Sequence, residues 1–111
     1  MPYLEFEGKQ YEIDEDGYLQ DWQAWQPGMA ELMAKQDGIT LTSEHWEIIN
    51  FLRDYFVKFQ IAPMIKILVK EIAKVFGPEK GNTKYLYELF PAGPAKQACR
   101  YAGLPKPTGC V

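Results

Sequence analysis

From Pro27 onward, prolines that suit only the first turn of a helix alternate with glycines that end one, so each helical segment is kept short. Pro27 opens "PGMAELMAKQDG", which places Met29, Leu32 and Met33 on one side and stops near Gly38. Thr42 or Ser43 caps "SEHWEIINFLRDYFVKF", where Trp46, Ile49, Leu52, Phe56 and Phe59 recur at three- and four-residue steps; this reads as the central core helix. "QIAP" breaks it, and Pro63 begins a third helix that runs to about Phe76, with Met64, Leu68, Ile72 and Val75 inward and Gly77 as its stop. Asn82 caps "TKYLYELF", which Pro91 ends, and Pro94 opens "PAKQACRYA", which Gly103 ends. A chain cut into such pieces is stable only if their apolar faces cover one another.

Ahead of the helices, Leu4, Phe6, Tyr11 and Ile13 alternate with Glu5, Glu7 and Glu12 around a turn at Gly8-Lys9, and "DEDGYL" forms a further turn. A lone hairpin is marginal in water and must pack on the rest of the chain. The 111 residues suit a single domain, 1–111, mainly α with a small N-terminal β-hairpin. The opening "MPYLEFEGKQYEIDEDG" has neither a basic nor an apolar signal region, and "IAPMIKILVKEIAKVF" is interrupted by three lysines. The expectation is a cytoplasmic protein with no direct membrane insertion.

Charge is unevenly divided. Residues 1–55 hold 12 acidic and 3 basic side chains, and residues 56–111 hold 3 acidic and 9 basic. Both cysteines, Cys99 and Cys110, lie in the basic half, which suits an anionic substrate or an acidic partner.

Cys99 falls in the last helix and Cys110 in the tail 103–111, eleven positions on, so they form no CxxC motif. One reading is a disulfide, for which Gly103 and Gly109 let the chain turn back; it would constrain the unfolded chain by about 3 kcal/mol, and a reducing compartment disfavours it. The other is an arm over 103–111 that reaches about 23 Å from Gly103, stiffened by Pro105 and Pro107 and slim at Thr108, Gly109 and Val111. Nothing beside Cys110 activates it strongly, so activation would come from a partner's site.

Cys99, Cys110 and His45 are too few for a closed zinc site, which leaves His45 as a capping or packing residue and no metal bound. Lys66, Lys70 and Lys74 form a basic stripe after a tight break. That is either a solvated helix face or the second helix of a helix-turn-helix that contacts DNA. No phosphate-cradling loop, acid pair or Ser-His-Asp set is evident.

The ending "FPAGPAKQACRYAGLPKPTGCV", with "GNTKYLYELFP", "DEDGYL" and "EHWEIINFLRDYF", resembles the DsrC/TusE family of sulfur-relay proteins over essentially the whole chain. The resemblance implies an orthogonal helical bundle with a helix-turn-helix-like arrangement, an N-terminal hairpin and a mobile C-terminal arm. It also implies that Cys110 enters the catalytic subunits of dissimilatory sulfite reductase, DsrA and DsrB, whose sirohaem and iron-sulfur cluster belong to them and not to this chain. There Cys110 would capture sulfur as a persulfide and Cys99 would close a trisulfide. A membrane-bound quinol-linked complex would then release sulfide, and sulfur oxidisers would run the carrier in reverse. Members acting in tRNA thiolation keep only the penultimate cysteine. Having both, this chain is expected to be a redox co-substrate of the reductase rather than a stand-alone catalyst, with Arg100 and Lys106 contacting anions or partners. The alternatives are a tRNA-thiolation relay fed by other sulfur-relay donors and a DNA-binding regulator using Lys66, Lys70 and Lys74.

Overall fold

The structure is a computed structural model that describes residues 2–107. Strands β1 (Tyr3–Phe6) and β2 (Lys9–Glu12) pair antiparallel, with Leu4 opposite Tyr11 and Phe6 opposite Lys9. The turn is Glu7-Gly8, one residue earlier than expected. Both residues have positive φ, 49° and 80°, as a two-residue hairpin that follows strand twist requires. Asp14 ties down the next loop by accepting the backbone N–H groups of Asp16 and Tyr18, each at 2.9 Å. A single 3-10 turn, Trp22–Ala24, leads into the helices.

The helices are α1 (Pro27–Gln36), α2 (Ser43–Phe59), α3 (Ile65–Phe76), α4 (Thr83–Leu89) and α5 (Pro94–Tyr101). The mainly helical class with a small hairpin is therefore as expected. Asn82 Oδ1 accepts the Tyr85 N–H at 2.8 Å and starts α4. At the start of α2, His45 Nδ1 accepts the Thr42 N–H at 3.0 Å, and Nε2 donates to the Leu89 carbonyl at 2.9 Å. Both ring nitrogens are thereby used, and His45 is the capping and packing residue that its position indicated.

The centre of the molecule is α5, which packs against α1, α2, α3 and α4; α2 is not the hub that its apolar stripe indicated. Six of the eight residues of α5 are buried. Two side chains assigned to the core are outside it. Phe59, the last residue of 17-residue α2, is 51% exposed, and its ring meets that of Tyr55, one turn back on the same helix, at 4.6 Å between centres. Val75 is 61% exposed, because the inward stripe of α3 steps from Leu68 to Ile72 to Phe76 and leaves Val75 on its flank. Among the described residues no helix is long and apolar enough to cross a membrane.

Candidate functional site: a sealed thiol beside a basic pocket

Ala95, Ala98 and Cys99 give α5 a narrow inner face, which lets neighbouring helices close on it. The Cys99 side chain has no exposed surface, and burial pushes its thiol far above the ordinary value. Cys99 in this packing is thus a core residue with negligible thiolate.

The C-terminal end of α5 is held by residues far away in sequence. Trp25 Nε1 donates to the Tyr101 carbonyl at 2.8 Å. Arg53 Nη1 donates to the Ala102 carbonyl at 3.0 Å and the Trp22 carbonyl at 2.9 Å, while its guanidinium stacks 4.3 Å from the Trp25 ring. Gly103 follows with φ +70°, and a Cβ placed there would stand 2.2 Å from Trp25 Cδ1. The Leu104 N–H returns to the Cys99 carbonyl at 3.1 Å, so the helix ends in a tight reversal against Trp25.

The expected arm over 103–111 is described only as far as Pro107, and that part packs on the domain. Gly103 and Leu104 are buried, Pro107 is buried again, and between them Lys106 pairs with Asp16 with its ammonium 5.7 Å from the Tyr18 ring centre. Pro107, the last described residue, precedes Cys110 by three positions. Thr108, Gly109, Cys110 and Val111 lie outside the described residues, and so does the expected meeting of the two thiols.

Beside this segment lies a pocket of about 280 Å³, bounded by Asp16, Tyr18, Lys96, Gln97, Arg100 and Lys106. Burial pushes the Tyr18 phenol up to about 12, so it stays protonated and donates to the Lys96 carbonyl at 3.1 Å. Arg100 pairs with Asp37, just past α1. Asp37 also accepts the Tyr101 hydroxyl at 2.5 Å and Gln97 Nε2 at 3.2 Å. Burial opposes ionisation of Asp37, but the bonds from Tyr101, Arg100 and Gln97 outweigh it and hold the carboxyl below its ordinary range.

Two of the candidates from sequence, Arg100 and Lys106, thus share one pocket, each facing a carboxylate. Lys66, Lys70 and Lys74 are exposed along α3, with Lys74 3.1 Å from Glu71. Among the described residues no cluster of His, Cys, Asp or Glu could hold a metal. Sequence reasoning missed the Arg53–Trp22–Trp25 cluster and the Asp37–Gln97–Tyr101 network. Their members are up to 64 positions apart, and no local pattern links them.

The family model described as "DsrC like protein" matches residues 5–111. Sulfurtransferase TusE of Photorhabdus laumondii is 52% identical over 111 residues, covering 100% of both chains. Sulfurtransferase TusE of Escherichia coli K12 is 51% identical over 108 residues, 97% of this chain and 99% of its own. Among solved structures, DsrC of Allochromatium vinosum superposes with a TM-score of 0.89 at 61% identity, covering 98% of this chain and 97% of that one. The oxidized gamma-subunit of the dissimilatory sulfite reductase from Archaeoglobus fulgidus gives 0.85 at 54%, covering 99% and 100%. With family, sequence and fold matching over nearly the full length, the chain belongs to the DsrC/TusE family of sulfur-relay proteins.

Proposed function

We propose that this protein is a sulfur carrier in a relay between protein thiols, of the type that serves tRNA thiolation, with Cys110 as its one working thiol. The observation that carries the reading is the complete burial of Cys99 at the centre of the fold. A thiol with no exposed surface and a raised pKa is a poor attacking group, since exchange needs both a thiolate and access. The Cys110 thiolate attacks the outer sulfur of a donor protein's persulfide, the donor's sulfur–sulfur bond breaks, and the donor leaves as a thiolate. Cys110 then holds the persulfide until a recipient's thiolate attacks its outer sulfur, which breaks the sulfur–sulfur bond and frees the Cys110 thiolate. No net oxidation occurs, so neither a cofactor nor a second cysteine is needed. The name that the curated relatives share, sulfurtransferase TusE, supports this reading.

A second reading, redox co-substrate of DsrA and DsrB in a dissimilatory sulfite reductase, is favoured by the presence of Cys99 and by the 61% identity to DsrC of A. vinosum. It requires Cys99 and Cys110 to supply two electrons to partly reduced sulfur and join it as a trisulfide. That in turn requires α5 to expose Cys99.

Intact-mass analysis after incubation with a persulfide-loaded cysteine desulfurase separates the readings. Single-thiol relay gives one added sulfur atom that the Cys99→Ala chain retains, still transferable to a recipient thiol, and that the Cys110→Ser chain lacks. A carrier that works only with reductase and sulfite, and only with both cysteines, would establish the second reading. Loading that survives Cys110→Ser would exclude both.

A further inference from the structure

A second hollow, about 350 Å³, opens where the first turns of α3 and α5 converge. Its floor is apolar, built from Met64, Ile65, Pro94 and Ala95, and Lys66 and Lys96 stand on its rim. Among the described residues no carboxylate lines this groove, and neither lysine has a salt-bridge partner. In this they differ from Lys74, Lys80, Arg100 and Lys106, each of which is paired. Neither helix carries an acidic residue in its first turn or a side-chain cap, so their free N–H groups add to the positive character that the lysines set. The groove shares Ala92 and Lys96 with the pocket that Lys106 bounds, and Lys106 lies four positions before Cys110.

We infer that this groove docks a partner segment that is apolar with carboxylates at its edges, belonging to a protein that exchanges sulfur with Cys110. The assignment rests on the sulfur-carrier reading above. Charge complementarity selects an acidic occupant, and the apolar floor requires side chains that bury surface there. Nucleic acid fits less well. Only two of the chain's cations rim the groove, and the next along α3, Lys70 and Lys74, alternate with Glu71, which repels phosphate. A partner held there is kept near the C-terminal segment that carries Cys110, so the groove governs encounter rather than chemistry.

The test is an NMR titration of the full chain with a blocked hexapeptide alternating glutamate and leucine. The expected result is amide shifts centred on Ile65, Lys66, Ala95 and Lys96 that weaken with salt. Affinity should fall about tenfold in the Lys66→Glu/Lys96→Glu chain and stay unchanged in Lys70→Glu. The glutamine–leucine peptide should bind about tenfold more weakly than the glutamate one. Equal binding of both peptides, shifts elsewhere, no binding, or an equal loss in Lys70→Glu would overturn the assignment. Tighter binding of an RNA hairpin at the same amides would replace it with a nucleic-acid surface. Sulfur loading of Cys110 from a small-molecule persulfide, measured on the same chains, keeps the two conclusions apart. Failure of loading in the unaltered chain counts against the carrier reading, while normal loading with no peptide effect counts against the groove alone.

Discussion

Helices α3 and α5 have opposite relations between composition and position. α3, "IKILVKEIAKVF", is the more apolar, yet only Leu68 and Ile72 of its 12 residues are buried. α5, "PAKQACRY", contains a lysine, a glutamine and an arginine, yet six of its eight residues are buried and it touches all four other helices. Hydrophobicity therefore did not choose the hub. Small side chains did, because a helix faced with alanine and cysteine admits neighbours on several sides at once, whereas leucine and isoleucine fill the space on one side. The polar groups of α5 are accommodated because partners meet them: Gln97 and Arg100 reach Asp37, and Trp25 and Arg53 cap its last carbonyls.

The largest effect expected from this contrast is chemical. In a Cys110→Ser chain, alkylation of Cys99 by iodoacetamide should be about a thousandfold slower in the native state than in urea, since access needs opening of the core. Rapid native labelling would show that α5 is not sealed. Next, Gly103→Ala should cost about 3 kcal/mol by urea denaturation, combining left-handed strain with the collision against Trp25. Ala98→Leu should cost about 2 kcal/mol, because the narrow face of α5 leaves no room for added methylenes.

A smaller effect concerns pH. The Asp37 carboxyl is held below its ordinary value, so the native state binds this proton more weakly than the unfolded chain. Its contribution is complete above the unfolded pKa and fades as pH falls through the lower folded one. Asp37→Asn should therefore flatten the acid limb of the stability profile, and an unchanged limb would show that Asp37 does not couple α1 to α5. Smallest of all, Val75→Ala on the exposed flank of α3 should shift stability by no more than about 0.5 kcal/mol.

Local signals carried most of the element boundaries. Pro27, Asn82, Pro94 and Gly103 each act through the turn they sit in, so the helices beginning or ending there could be read directly. The hairpin turn was misplaced by one residue because Glu7 adopts positive φ, which its side chain does not advertise. Phe59 and Val75 were misassigned because periodicity gives the direction of a side chain and not whether a neighbour covers it. At the candidate site, both cysteines, Arg100 and Lys106 were visible as residue types. The sealing of Cys99, the anchoring of 103–107 and the groove under Lys66 and Lys96 were not, since each joins segments distant along the chain.

By itself the sequence determined the punctuation into short helices, the basic second half, and two thiols eleven positions apart, because these depend on covalent order and near neighbours. The tertiary structure alone decided that the helix bearing Cys99 lies at the centre and that residues 103–107 pack back on the domain beside a basic pocket. Burial is a property of what packs around a residue, and it is burial that keeps the Cys99 thiol protonated and out of reach.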